Sequence, residues 1–364
     1  MRLDWEKVKQ RFKKKNIKQI ALIGVVVSGG MLGSLTGNLP GEFVPLIESI
    51  DCISGEVFSD DRGICVVDIN CEDTGVCAEL EAYLQEQSEV SILDIIPERA
   101  LHTTEELFFE TYGTQATILS QYDVSYGKRA VLQRIASNPG RVPKEWRALQ
   151  GAVLLHDELW DIFSDIVPYS IRSRVTGFDL VSDGLDGMLA AAEPNIKEGT
   201  WTILVDVVDA AGEDGHEELI ATLIHELAHI ITLDTSQRDG EKKDSCAGYE
   251  ATEIGCLRED AYLSAYVSAF WQPAPFIPLY QVPNPEILRS ELTRRYRVAS
   301  GDFGSAYATM SQEEDIAETF IRFVLAGAEE KEEGIIQEKI DFFYQYPELV
   351  ELRSYIRGRV LEKI

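Results

Sequence analysis

The stretch Ala221–Leu233, ATLIHELAHIITL, constrains this chain more than any other. Leu219, Ile220, Leu223, Ile224, Leu227, Ile230, Ile231 and Leu233 surround most of a helical axis. The polar positions Glu218, Thr222, His225, Glu226, His229 and Thr232 recur every three or four residues. At 3.6 residues per turn they form one stripe on an otherwise buried helix, and such a stripe must find a partner. His225 and His229 stand four apart, one above the other, so both can reach a single zinc ion at about 2.0–2.1 Å. Glu226 follows the first His and is placed to act as general base on a water at that ion. The competing explanation is a pair of core histidines bonded to backbone. The apolar packing expected around both rings favours the metal, and so does a second motif downstream.

A metal centre that keeps a position open for water needs a third protein ligand. The chain has five His (His102, His156, His216, His225 and His229), and a third His six residues after His229 would fall at Thr235. Asp234 is one residue out of register for an Asp in that role. The best candidate is Glu314, in Glu313-Glu314-Asp315-Ile316-Ala317-Glu318-Thr319-Phe320. Glu314 and Glu318 lie four apart on one helix face, with Ile316, Phe320, Phe323 and Val324 covering the other side. One carboxylate can bind the metal. The other can accept the free ring N–H of a ligating His and fix its tautomer. The plainer alternative is a solvated acidic face on an acidic protein.

HELAH together with E-D-x-A-E-x-F resembles the gluzincin clan of zinc metallopeptidases, and within it the group that includes the catalytic domain of anthrax lethal factor and related bacterial peptidases. The resemblance covers Gly177–Leu325 and extends to the C-terminal helices, while residues 1–95 fall outside it. It implies Zn²⁺ held by His225, His229 and Glu314, with Glu318 orienting a ligand and Glu226 as general base in peptide-bond hydrolysis. A Tyr seven residues before the Glu ligand assists catalysis in that group, and Tyr307 stands there. By itself a Tyr at that place would pass for a packing residue. The resemblance further implies that Thr200–Val208 is the sheet edge with which an extended peptide or protein substrate pairs. His229 and Glu314 are 85 residues apart, more than in compact members of the group. The excess is the Cys246–Cys256 loop and the proline-rich Gln272–Pro285, which longer loop closure tolerates and which can form a lid. Should that insertion displace Glu314, Glu313 and Asp315 are the fallback ligands. The alternative reading is a membrane-tethered binding module that keeps a zincin-like fold without catalysis. The retained Glu226 argues against it.

The net charge of −28 is unevenly spread. Eight basic and two acidic side chains crowd the first 18 residues, leaving 26 basic against 60 acidic in the rest. Such a body repels nucleic acid and anionic membrane surfaces. The basic head, 1–19, runs into Ile20–Leu35, IALIGVVVSGGMLGSL, without a charge. That is the charge order of a transmembrane anchor or a secretory signal over 20–36, with the rest extracytoplasmic, either anchored by this one segment or secreted if it is cleaved. A buried core helix fits it less well. Six cysteines support export, because disulfides persist in oxidising compartments. Cys52, Cys65, Cys71 and Cys77 fall in a Cys-rich juxtamembrane region, 37–95, and allow three pairings. Cys246 and Cys256 have no other near neighbour and are expected to pair with each other.

From about residue 96 to 364 the pattern is that of a globular domain. Ala116–Ala136 is expected to end in a helix and Pro143–Val167 to be helical. Short strands are expected at Gly177–Leu180 and Gly187–Ala191, and a β-branched strand at Thr200–Val208. Helices are expected at Ala261–Trp271, Glu286–Val298, Glu313–Gly327, Ile335–Tyr344 and Leu349–Ile364. Strands gathered before the motif helix and helices after it make an α+β, zincin-like arrangement: a small mixed sheet and a mostly helical C-terminal part. Oligomeric state is left open by the sequence.

Overall fold

In the computed structural model the described residues are 56–59, 64–67, 92, 116–126, 130–137, 142–184, 188–212, 215–239, 246–251, 254–272, 274–276, 279, 285–327 and 334–363. The basic head, the apolar run 20–36, the boundary at 95/96 and the side chains of the four early cysteines lie outside them. Among the described residues no helix is long and apolar enough to cross a membrane.

The fold is mixed α+β. A hairpin, β1 (Glu56–Ser59) and β2 (Ile64–Val67), stands first. The main sheet comprises β3 (Thr117–Tyr126), β4 (Ala130–Ser137), β5 (Val175–Ser182), β6 (Ala190–Asn195) and β7 (Thr200–Asp206) in the order β4-β3-β5-β7-β6. Only the β5–β7 pair is parallel among these neighbours. The helix expected near the end of Ala116–Ala136 is a correction: the segment is the antiparallel hairpin β3-β4. The reason is visible in β3, where Leu119, Tyr122 and Val124 are buried while Asp123 and Ser125 are exposed, a two-residue alternation that a helix cannot satisfy.

Pro143–Val167 is helical but broken. A single turn at Lys144–Trp146 and a short helix, Arg147–Gln150, precede α1 (Val153–Ile166), with Gly151 at the break. The β-branched run expected over Thr200–Val208 stops as a strand at Asp206. The carboxylate of Asp206 accepts the amides of Val208 and Asp209 and turns the chain into a short helix, Val207–Ala210. A second correction concerns the sheet edge. β7 lies between β5 and β6, so among the described residues the edge strand beside the motif helix is β6.

The motif helix, α2 (Gly215–Leu233), begins against that short turn: a Cβ on Gly215 would come within 2.4 Å of the Asp209 carbonyl oxygen. Leu219, Leu223, Ile224, Leu227 and Ile230 are completely buried. Each such side chain contributes on the order of 1.5–3 kcal/mol by leaving water. After α2 the chain leaves on a long excursion. At its base Asp239 N–H donates to Cys256 O at 2.9 Å, and Arg258 N–H to Gln237 O at 2.9 Å. Within it the two-residue strands β8 (Glu250–Ala251) and β9 (Gly255–Cys256) pair, and Cys246 and Cys256 are at disulfide distance with Cα atoms 5.2 Å apart, as expected. The longer helices that follow among the described residues are α3 (Tyr262–Phe270), α4 (Pro285–Ala299), α5 (Gln312–Leu325), α6 (Ile335–Phe343) and α7 (Pro347–Lys363). Helix α5 packs on α2, and α6 and α7 pack on α5.

Both ends of α5 are fixed. At its start Ser311 is the N-cap, its buried hydroxyl accepting the amide of Glu314 at 3.3 Å. At its end Arg353 donates to Phe323 O and Ala326 O, and Arg357 to Val324 O and Leu325 O, at 2.6–2.8 Å. These arginines satisfy carbonyls that a helix terminus leaves without intrahelical partners.

Candidate metal centre

Helices α2 and α5 bring three side chains to one point. His225 Nε2 and His229 Nε2 are 3.0 Å apart, and Glu314 Oε2 lies 3.0 Å from the first and 3.4 Å from the second. Three ligands bound at about 2.0–2.1 Å in a tetrahedral arrangement are separated by about 3.3 Å, so the triangle has the size of three corners of such a site. A site of this kind would leave one further position on the ion for water.

The chemistry of the donor set fits a cation as well. His225 Nδ1 is 3.0 Å from Glu318 Oε1, and a carboxylate can only accept there. A neutral His225 ring bonded in this way carries its proton on Nδ1 and turns a lone pair on Nε2 toward the centre, as a ligating ring must. Glu314 Oε2 is a second lone-pair atom aimed at the same point. Two imidazole nitrogens and a carboxylate form a set that holds zinc, copper, iron or nickel. The same proximity shifts the protonation of each group. Burial alone would press the His225 ring toward neutrality, but hydrogen bonds to Glu314 and Glu318 carry its pKa well above the usual imidazole value. Burial acts the same way on His229, and the Glu314 charge reverses it. Burial would raise Glu314, yet the two rings beside it hold its carboxyl far below the ordinary range.

The capping arrangement explains why Glu314 sits where it does. Ser311-Gln312-Glu313-Glu314 has the S-x-x-E pattern in which the Glu side chain folds back to the cap residue's amide. Here Ser311 caps the helix, but the Glu314 carboxylate reaches across to α2 instead. Its neighbours are not alternatives. Glu313 Oε1 accepts the Tyr249 hydroxyl at 3.0 Å, which ties the cysteine loop to the first turn of α5. Asp315 points the other way, into the core. Its Oδ2 accepts from Lys339 Nζ at 2.7 Å, Trp271 Nε1 at 2.8 Å and Tyr266 OH at 3.0 Å. Burial raises the Asp315 pKa, and the Lys339 ammonium opposes it. Each residue of a helix advances about 100° around the axis, so three consecutive acids meet three different surroundings.

Glu226 is buried beside His225 and His229, and its Oε2 accepts the backbone amide of Ala192, on β6, at 2.7 Å. Burial raises the pKa of Glu226 and the two histidines lower it. A buried carboxyl whose pKa is raised from its ordinary value is a better proton acceptor than a solvated one. Tyr307 lies on a single turn, Tyr307–Thr309, and its ring centroid is 5.9 Å from that of His225. It also packs against a small apolar cluster of Leu279, Leu288, Leu292 and Met310, separate from the main core. The expected site residues His225, Glu226, His229, Tyr307, Glu314 and Glu318 are therefore all gathered at one place.

Other participants left little trace in the sequence. The Ala192 amide is a backbone group and has no residue signature. Lys339 could be noticed only as a lone cation in the apolar IIQEKIDFF. A second group of acids, Asp183, Asp206 and Asp209, lies at the C-terminal end of β7. Asp206 is fully buried there, and burial, with the neighbouring Asp209 charge, pushes its pKa up to about 7 against the pull of three backbone amides.

No protein-family model matches this chain, and neither does any curated protein or any solved structure.

Proposed function

We propose that this protein is a zinc-dependent endopeptidase with a zincin-like catalytic domain, acting on an extracytoplasmic protein or peptide. The observation that carries the reading is the convergence of His225, His229 and Glu314 with a buried carboxylate, Glu226, beside them. The chain's resemblance to gluzincins in HELAH and E-D-x-A-E-x-F supports the choice of reaction. The basic head and the apolar run after it support export, and the cysteine pair suits an oxidising compartment.

His225, His229 and Glu314 would hold the ion, and Glu318 would keep His225 in the tautomer that presents Nε2. The bound ion would supply Lewis acidity, making water more acidic and polarising the scissile carbonyl. Glu226 takes the proton of the attacking water on its carboxylate and delivers it to the leaving amine. Tyr307 donates a hydrogen bond to the oxygen on which negative charge develops. An extended substrate would lie along β6, the edge strand nearest the motif helix.

The test is Glu226→Gln in the full chain, assayed for metal content and for cleavage of a denatured protein mixture. Metal is expected to stay at the wild-type level while cleavage disappears. Cleavage at the wild-type rate would remove Glu226 from the role of base. A wild-type chain that binds metal and cleaves nothing would favour the binding-module alternative.

A further inference from the structure

Strand β6 makes a contact that neither the metal triangle nor the sheet requires. Asp206 N–H donates to Leu189 O at 2.8 Å, which makes that pair a hydrogen-bonded one. In an antiparallel ladder bonded and non-bonded pairs alternate. Ala191–Leu204 and Glu193–Thr202 are therefore bonded, and Ala190–Val205, Ala192–Ile203 and Pro194–Trp201 are not. The N–H and C=O of the non-bonded residues on β6 point away from β7, toward the free edge. Pro194 agrees with this register, since a residue without an N–H is tolerated in a strand only where the ladder needs none. The Ala192 amide, so directed, meets Glu226 Oε2 at 2.7 Å.

A glutamate side chain has three rotatable bonds, and its reach to a proton is only as good as its anchoring. A strand amide cannot swing away, so it fixes one oxygen of the carboxylate in space. We propose that the backbone N–H of Ala192 is the positioning group for Glu226, and that it is thereby withheld from any ligand. The free edge over Ala192–Pro194 is then one-sided. It offers the carbonyls of Ala192 and Pro194 as acceptors and no N–H, so a peptide lying there must donate two N–H groups, two residues apart. The inference rests on the peptidase reading for its catalytic meaning, but the contact itself does not.

Two measurements on the zinc-loaded full chain test it. The first is amide hydrogen exchange at Ala192 in wild type, Glu226→Gln and Glu226→Ala. Gln retains an acceptor oxygen, so protection is expected in wild type and in Glu226→Gln. In Glu226→Ala, exchange at Ala192 should be about tenfold faster or more, while the ladder-bonded Ala191 and Glu193 stay unchanged. Equal exchange at Ala192 in wild type and Glu226→Ala would overturn the proposal, whatever the protein catalyses. The second is Ala192→Pro, which removes an N–H that the sheet does not use and also fixes φ near −65°, a change that Pro194 already shows this edge strand accepts two residues on. With metal content intact, kcat should fall roughly 10- to 100-fold and KM should move by less than about threefold. An unchanged kcat would overturn the proposal, and so would a raised KM with kcat preserved, which would mean that the amide serves the substrate instead. Absence of peptide cleavage by wild type would defeat the peptidase reading, and the exchange result would still decide the contact.

Discussion

Glu318 touches the candidate metal only through His225, and replacing it gives a graded prediction. Its Oε1 lies 3.0 Å from His225 Nδ1, and its side chain is only 5 % exposed. The bond is charge-assisted and shielded from water, a class that contributes about 1.5–3 kcal/mol. At about 1.4 kcal/mol per factor of ten, Glu318→Ala should weaken metal binding roughly 10- to 100-fold, the usual range for a partner behind a ligating His. Glu318→Gln keeps an acceptor oxygen but loses the charge. A neutral hydrogen bond of about 1 kcal/mol remains, leaving a loss of about 0.5–2 kcal/mol, or roughly 2- to 30-fold in affinity. The assay is competition for Zn²⁺ between each variant and a chelator of known affinity. Thermal unfolding with the chelator in excess separates a general loss of stability from a local effect. Equal affinity in wild type, Gln and Ala variants, all folded, would show that Glu318 does not orient the ligand. A larger loss in Gln than in Ala would refute the reasoning differently, because it would mean that the residual acceptor is harmful.

Three further outcomes are expected. Glu314→Ala should abolish metal retention through dialysis, whereas Glu313→Ala should keep it, since Glu313 is engaged by Tyr249; elemental analysis of both reads this directly. Lys339→Met strands the buried Asp315 carboxylate and should cost about 3–5 kcal/mol, lowering Tm by on the order of 10 °C, and adding Asp315→Asn should recover a large part of it. Asp206 has its folded pKa raised to about 7. A raised carboxyl pKa means that the folded state holds the proton more tightly than the unfolded one, so this group's contribution is fully present below pH ~4 and is lost as pH rises through about 7. Tm measured from pH 5 to 8 should carry a downward slope from this group that Asp206→Asn removes.

The parts of the site carried by side chains at helical spacing were legible in the sequence. His225 and His229 one turn apart, and Glu314 and Glu318 likewise, are local patterns that survive any arrangement of the rest of the chain. Their meeting depends on contacts across 89 residues, which spacing alone does not encode and which the resemblance to a known family supplied. The β3-β4 hairpin was misjudged because VLQRIA satisfies a helical spacing as readily as a strand, and pairing with β3 decided between them. The resemblance made Thr200–Val208 the sheet edge. Position in a sheet is set by neighbours, and the blander AAAEPN forms the edge. Arg353 and Arg357 carry no local signal of their role, since both are buried against carbonyls of α5 that only the folded chain brings to them.

The excursion between α2 and α3 closes on itself, through two backbone bonds that join 237–239 to 256–258. What the excursion passes to the atoms around His225 goes through that closed base and through Tyr249, which bonds Glu313. Changes of chain length within the excursion that leave this base and Tyr249 in place should cost the centre little, while a single residue inserted between Ser311 and Glu318 would turn the wrong acid toward it. Searches for related proteins that fix the number of residues between the HELAH segment and the E-D-x-A-E segment would miss chains changed in this way. Searches that fix the spacing within each segment and leave the interval free would find them.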